Sequence, residues 1–572
     1  MLNDEGFQRH IARLVASMSA HSRETIADFI TENTYLRGEK FSFQDHEYQE
    51  FILKDLSKEK VIIKSAQMGI SEMSARLALA MGNLISGFST IYTLPSAKAA
   101  MNFMKTRIDP IIAGSPYLKE GISKTVDNTD MKQFGDSYLY LKGAQVDSQA
   151  ISVPADMLIG DEVDNSNQEV LTLFESRLIH SKHQFNVKLS TPSIPGYGID
   201  KAYKESRRHV HLCKCHRCNH WFEPDYFEHI KIPDFKGDIR KDILKSTFAS
   251  PKFRWQEAFV ACPKCAGRVD LSEKYRNWVC ENTLDTFVAA GFKVSPFSCP
   301  NIILPSHLVR DSVKYERLQD FYNQRLGMAL EDKEASFTEE ELLKLLITSE
   351  VSLSFPMVMG LDMGNLCACT IGAVMPDGQI AVVYREMIPL FKVYDRRLEL
   401  AKAWRVRSCV VDHGPYTETV WRMQQTDSKV FAGVYVRNKR SAEIYKVREQ
   451  DEDKDEGKQG LRVVNINRDK GFDHIMGQVR AGKILVRAEQ GVVKEQLSPN
   501  DAMWVRHMQD QKRVREFDGD ELIFVWRKTQ GEDHMHHSLL YMVVASKLMG
   551  VVNTTTPIRN LVMKLKLKNK NV

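Results

Sequence analysis

VIIKSAQMGISEM, residues 61–73, decides how this chain is read. Val61–Ile63 is a β-branched run that suits a buried strand. SEMSARLALAMGNLI (71–85) carries helical spacing, and a short turn with one glycine joins the two. A phosphate-binding loop reads G-x-x-x-x-G-K-[ST] between a strand and a helix. Here the eight positions are Lys64, Ser65, Ala66, Gln67, Met68, Gly69, Ile70 and Ser71. The second glycine and the final serine match. The lysine position holds Ile70, and the first glycine position holds Lys64. Backbone N–H groups at a helix N-terminus can still cradle phosphates. Ser71 is placed to bind Mg²⁺, and Lys64 is placed to reach the β- and γ-phosphates from the loop's other end. From these residues alone, a strand–turn–helix with a surface lysine is equally open.

Working outward, ADMLIGDEVD (155–164) is an apolar strand ending in Asp161-Glu162. In a Mg-ATP site Asp161 would order the metal and its water, and Glu162 would polarise the attacking water. KLSTPS (188–193) ends another strand, and its Ser190 and Thr191 are candidates for sensing the γ-phosphate and coupling hydrolysis to movement. With STIYTL, SYLYLKGA and QFNVKLST supplying further strands between helical stretches, the pattern is that of parallel βαβ units.

CKCHRCNHW and ACPKCAGR interrupt the pattern. Cys215-x₂-Cys218 with Cys262-x₂-Cys265 predicts two knuckles around a tetrahedral Zn²⁺, closed and therefore structural. Cys213 is one too many, and His211, His216 and His220 are conceivable substitutes. Arg207, Arg208, Lys214, Arg217 and Arg268 flank the cluster, either as phosphate contacts or as a solvated face.

A second α/β pattern starts at FPMVMGLDMG (355–364). It places Asp362 in its first strand, Asp412 at the end of SCVVD and Asp533 at the head of a final helix. Three acids in this order suit an RNase H-like nuclease, whose two ions lie about 3.5–4 Å apart. His413, Glu418 and Glu532 are secondary candidates. The expected fold class is α/β: an ASCE-type P-loop NTPase domain with a parallel sheet and a zinc-ribbon insertion, followed by an RNase H-like domain.

The string GAQVDSQAISVPADMLIGDEVDN, the displaced-lysine loop and LSTP together resemble the large terminase subunit of tailed phages, of the lambda type. The resemblance implies that the loop lysine has moved to Lys64. It makes Lys64, Ser65, Gly69, Ser71 and Asp161 the ATP-binding set, and HEYQEF adds Tyr48 and Gln49 as candidates for adenine. This loop departs from the family in carrying Ala66-Gln67 and no arginine. The family's last motif reads like D-H-x-x-D-A-x-x-Y; here His537 stands where its second aspartate would be, so Asp533 or His537 is the expected third nuclease ligand, the histidine favouring Mn²⁺. The resemblance further implies double-stranded DNA as substrate, a small terminase subunit and a portal protein as partners, and a homo-oligomeric ring during packaging.

The chain has 572 residues, 43% hydrophobic and 27% charged, with a net charge of +5. That is globular composition, and any nucleic-acid site must be a local patch. No apolar run is long enough to span a membrane, and MLNDEGFQRH lacks a signal-peptide core, so the expectation is the host cytoplasm, where ten cysteines are unlikely disulfides. The expected divisions are a helical N-terminal segment at 1–40 that contacts the small subunit, an ATPase core at 41–204, the zinc ribbon at 205–275, a helical subdomain and linker at 276–350, the nuclease at 351–552, and a basic tail at 553–572. Two rival readings stay open: a helicase-nuclease or recombination enzyme outside packaging, and a zinc-containing DNA-binding protein whose P-loop is inactive.

Overall fold

The computed structural model describes residues 23–150, 153–282, 289–315, 317–330, 336–352, 354–436, 443–448, 461–518, 521–529 and 531–552. The N-terminal stretch with Phe7, Ile11, Leu14 and Val15, the basic tail and most of the charged loop at 448–460 lie outside the described residues. The chain divides into two compact units, one within 1–332 plus 515–523, the other within 333–514 plus 524–572.

The first unit is organised by β1 (Glu59–Lys64), α1 (Ile70–Leu84), β2 (Ser89–Leu94), β3 (Ser137–Gly143), β4 (Met157–Asp161), β5 (Phe185–Ser190), β6 (Arg207–Lys214) and β7 (Ala289–Val294). These strands lie side by side in the order β6-β7-β1-β5-β4-β2-β3, each parallel to its neighbours. β1 and β4 are buried along nearly their whole length. That is why they read as continuous apolar runs and not as alternating ones. β5 lies between the loop strand β1 and the acidic strand β4. A sheet with one strand inserted between these two is the ASCE arrangement, and it sets Lys64, Ser190 and Asp161 at adjacent strand ends.

The expected division at 276–350 is corrected here. Ala289–Val294 is no helical linker but a strand beside β1, its Ala290, Phe292 and Val294 all buried. The six-residue apolar run AAGFKV was too short for its period to be diagnostic. The cysteine module likewise leaves the sheet only after Lys214 and returns by Arg276–Cys280, which pairs antiparallel with β6. Farther on, Thr338 caps the short helix Glu339–Leu343 with a capping box to Glu341, as its sequence predicts.

The second unit carries β8 (Met357–Asp362), β9 (Leu366–Val374), β10 (Ile380–Pro389), β11 (Val406–Asp412), β12 (Val430–Tyr435), β13 (Val463–Ile466), β14 (Ile484–Arg487) and α2 (His534–Val552). β8, β9 and β10 form an antiparallel meander, and β11, β12 and β13 extend the sheet from β8 in parallel. The inner order β10-β9-β8-β11-β12 is that of an RNase H-like fold. α2 is apolar nearly all round because it lies in the core, with Met535, Leu539, Leu540 and Tyr541 fully buried. Its backbone presses on β8 at Gly360, where a Cβ would stand 2.0 Å from the Ser538 carbonyl oxygen. That approach fixes which face of α2 meets the sheet.

Candidate ATPase and nuclease sites

The loop between β1 and α1 turns through two left-handed residues, Gln67 (φ +61°) and Gly69 (φ +69°), the latter being the N-cap of α1. Gly69 is required twice over, since a Cβ there would lie 2.6 Å from Gln49 Nε2. Two N–H groups at the start of the loop are occupied: Ser65 donates to the Val294 carbonyl (3.1 Å) and Ala66 to the Gln324 carbonyl (2.7 Å). The N–H groups of Gln67, Gly69, Ile70 and Ser71 meet no acceptor among the described residues, while the turn at Ala66–Gln67 brings the Met68 N–H round to the Ser65 carbonyl. Four such donors at a helix N-terminus form a nest for an anion.

Lys64 is held at the end of β1 with only 7% exposure. Its ammonium acts on Glu162, pulling that carboxyl's pKa down, although crowding by the surrounding protein and the neighbouring Asp161 charge together leave it raised. Ile70, at the position where a standard loop has lysine, is 1% exposed and packed in the core. A lysine there would have to bury its charge. Asp161 is buried. One of its oxygens accepts from the Tyr92 hydroxyl at 2.8 Å, and the other has no partner among the described residues. Ser65 Oγ is likewise buried and unpaired. Buried polar atoms are almost always satisfied, so two orphans beside an anion nest mark a place for a phosphate, a cation or its water. Ser71 is half-buried on the first turn of α1.

Tyr48 and Gln49, the adenine candidates, both bond the loop backbone. Tyr48 is 1% exposed, and its hydroxyl donates to the Met68 carbonyl at 2.6 Å; the Gln49 amide reaches the same oxygen at 3.3 Å. Both hold the loop from behind. Ser190 is fully buried, its hydroxyl donating to the Thr191 carbonyl (2.8 Å) and accepting from the Asp164 N–H (3.3 Å), while Thr191 is half-buried.

In the cysteine module the sulfurs of Cys215, Cys218, Cys262 and Cys265 all lie within 4.8 Å of one another, with Cys215–Cys265 at 3.7 Å and Cys218–Cys262 at 3.5 Å. A tetrahedral Zn²⁺ with bonds of about 2.3 Å needs sulfur separations close to these. Cys213 stays outside, buried, with its thiol pushed up to about 12 by burial. His211 is committed elsewhere: it stacks on Trp278 at 4.7 Å and accepts from Arg276 at 3.2 Å. The flanking cations are engaged locally. Arg207 donates to Ser57, Arg208 pairs with Glu281, Lys214 lies over Trp221, and Arg268 lies over Phe259.

In the second unit Asp362 and Asp412 end the adjacent parallel strands β8 and β11. Burial and then the Asp362 charge push the Asp412 carboxyl up to about 6. The head of α2 departs from expectation. Asp533 and His537, one helical turn apart, bond each other at 3.2 Å. The other nitrogen of His537 meets the Tyr435 hydroxyl at 2.7 Å, and Gln511 donates to Asp533. Burial pushes Asp533 up, but the bonds from His537 and Gln511 outweigh it and hold the group well below the usual carboxylate range. Asp533 and His537 thus bond each other, and His537 also draws the Asp412 carboxyl down. The next residue, His534, turns its Nδ1 to within 2.8 Å of Asp362 Oδ2. One residue along a helix is a rotation of about 100°. The face 534–538–541 meets the sheet, Ser538 bonding Thr370 (2.6 Å) and Tyr541 bonding Asp412 (3.1 Å). Among the described residues only the four cysteines crowd three or more possible ligand atoms within 4.8 Å, so the nuclease groups stand wider apart.

Residues 44–282 match the family described as phage terminase large subunit gpA, ATPase domain. Over those residues the chain is gpA-like. A search of curated proteins found no match. Among solved structures, the large terminase of bacteriophage HK97 is similar at 11% identity and TM-score 0.49, over 91% of this chain and 99% of that one. The large terminase ATPase domain of Thermus phage P74-26 is similar at 13% identity and TM-score 0.30, over 52% of this chain and all of that one. A large terminase nuclease from a thermophilic phage is similar at 11% identity and TM-score 0.24, over 36% of this chain and 96% of that one.

The gpA-like region contains the displaced-lysine loop, the acidic pair, LSTP and the four cysteines, the strings on which the resemblance was drawn. It also contains Asp164, which sequence reasoning passed over. Asp164 takes the Ser193 N–H and O–H (both 2.7 Å) and the Ile199 N–H (2.6 Å). The signal available was a third acid in DEVD, one that could not all face the same ligand as Asp161 and Glu162.

Proposed function

We propose that the chain is the large subunit of a DNA-packaging terminase, in which ATP hydrolysis drives double-stranded DNA into a viral procapsid and a metal-dependent nuclease cuts concatemeric DNA. The observation that carries the motor half is Lys64. It is buried at the end of β1 and acts electrostatically on Glu162, beside the N–H groups of Gln67, Gly69, Ile70 and Ser71. On this reading the N–H nest and Lys64 bind the triphosphate, and Ser71, Ser65 and Asp161 hold its Mg²⁺ and the ordered water. Glu162 polarises the water that attacks the γ-phosphorus. Ser190 and Thr191, between the two strand ends, pass the change on.

In the nuclease Asp362, Asp412 and His534 would hold Mg²⁺ or Mn²⁺, which when bound supplies the charge that stabilises phosphodiester cleavage. The donor types suit such an ion, two carboxylates at adjacent strand ends and a nitrogen ligand that shifts preference towards Mn²⁺, and they would draw closer on binding it. Asp533 and His537 support the helix head. The four cysteines would hold a structural Zn²⁺. A small terminase subunit, a portal protein, a ring of copies and the host cytoplasm complete the reading. No described helix is long and apolar enough to cross a membrane.

The test is ATP hydrolysis with and without double-stranded DNA, together with DNA uptake into procapsids. DNA-stimulated hydrolysis with uptake is the expected result. Strand unwinding without uptake favours a helicase-nuclease, and no hydrolysis at all favours a binding protein with an inactive loop.

A further inference from the structure

Asp164 lies in the turn Val163–Asn165, directly after Glu162, and is 1% exposed. Its carboxylate is filled by three donors, the Ser193 N–H and O–H and the Ile199 N–H, while its own N–H donates to Ser190 Oγ. Gly198 (φ +50°) leaves room for it, since a Cβ there would lie 2.2 Å from Asp164 Oδ1. Ser193 is in turn held from the opposite side. Its carbonyl accepts from the Asn323 side-chain amide at 2.8 Å and from the Leu330 N–H at 3.4 Å. Asn323 lies in the widened helical turn Phe321–Leu326, and the same amide ties back to the Met328 carbonyl at 2.9 Å. The next residue, Gln324, takes the Ala66 N–H at the head of the phosphate loop. Gly327 (φ +66°) then passes so close that a Cβ would stand 2.6 Å from the Ser65 nitrogen.

These bonds close a circuit: the Glu162 turn, Asp164, Ser193, Asn323, Gln324, and the loop at Lys64–Ala66. We propose that Asp164 and Ser193 are positioning residues that set Glu162 against the loop-bound phosphate, with the strap Phe321–Met328 as the return path. The proposal rests on the ATPase reading. Directional hydrogen bonds transmit small displacements because neither end moves without straining the bond; here the links of Asp164 to Ser190 and Ile199 are buried, and those through Ser193 and Asn323 are partly buried. A phosphate entering the nest at Gln67–Ser71 moves the loop head. The strap moves Ser193, and the Asp164 turn carries Glu162 with it.

The experiment is DNA-stimulated ATP hydrolysis on the full chain, read as kcat and KM, with ADP binding measured separately for the same proteins. Asp164→Asn keeps the shape but offers an amide to donors that need acceptors. It should lower kcat about 10–100-fold while ADP affinity stays within about threefold of wild type. Ser193→Ala and Asn323→Ala should give smaller falls of the same kind. The Asp164→Asn/Ser193→Ala double variant should be no worse than Asp164→Asn alone, because both cut the same link. Wild-type kcat in folded Asp164→Asn, or a kcat loss matched by an equal loss of ADP binding, overturns the proposal. If Asp164→Asn does not fold, the two alanine variants decide by the same readout. A wild-type chain that hydrolyses no ATP overturns the ATPase reading itself; hydrolysis that ignores all three substitutions overturns only this inference.

Discussion

At the catalytic edge of the first unit, Lys64, Ser190 and Asp161 end three neighbouring parallel strands. In the second, two strands end in Asp362 and Asp412, and the proposed third group comes from the head of a helix. A strand end is a forgiving address. Side chains alternate with period two, and the end of a buried parallel strand in an open α/β sheet faces the ligand crevice. A helix head is not, because each residue turns the side chain by about 100°. Asp533, His534 and His537 are close in sequence, yet of the three His534 alone hydrogen-bonds a strand-end acid, while His537 acts on Asp412 only through its charge.

The largest effect that would break this contrast is in the nuclease. His534→Ala should lower plasmid cleavage with Mn²⁺ by about 100-fold or more, while His537→Ala, which removes a support and no ligand, should cost about 10-fold. Equal losses, or the reverse order, would return the third ligand to the 533/537 face. A smaller effect sharpens the contrast from the other side. The cysteine module needs no reaction geometry, only four sulfurs within 4.8 Å. The purified chain should carry one Zn²⁺, and Cys262→Ser should abolish it and lower the first unfolding transition by about 5–10 °C, with cleavage by the second unit retained. A metal-free wild type of unchanged melting temperature contradicts the zinc site.

The smallest effect concerns Asp164. Burial pushes its carboxyl up to about 7, against the three hydrogen bonds that favour the charged form. Its folded pKa is thus above the unfolded value of about 3.9. Its contribution to stability is fully present below the unfolded pKa and is lost as pH rises through the folded one. The melting temperature of wild type minus that of Asp164→Asn should therefore fall between pH 5 and pH 8. A difference that rises over that range would mean that the hydrogen bonds, and not burial, dominate.

What the sequence made legible follows the same division. VIIK, STIYTL, ADMLIGDE and QFNVKLST are apolar runs ended by polar residues, and each holds a strand whose ends lie within two residues of the run. The paired C-x₂-C knuckles carry their own geometry and needed no tertiary context. AAGFKV was missed because a six-residue run has no readable period, although it lies beside the loop strand. The bonds of Tyr48 and Gln49 to the Met68 carbonyl were not legible, because sequence shows residue type but not which backbone group a side chain meets. Asp164 and the strap at 321–328 were invisible for a different reason. Their meaning lies in hydrogen bonds between segments about 30 to 260 residues apart, which no local pattern encodes.

The central claim is that the phosphate-binding lysine stands at position 64 and not at position 70. ATP hydrolysis by Lys64→Ala and by the exchange variant Lys64→Ile/Ile70→Lys, measured beside wild type with Mg²⁺ and double-stranded DNA, tests it most directly. The account predicts a loss of about 1000-fold or more in both, because Ile70 is packed in the core and a lysine there cannot take over. Hydrolysis at the wild-type rate in Lys64→Ala would contradict it.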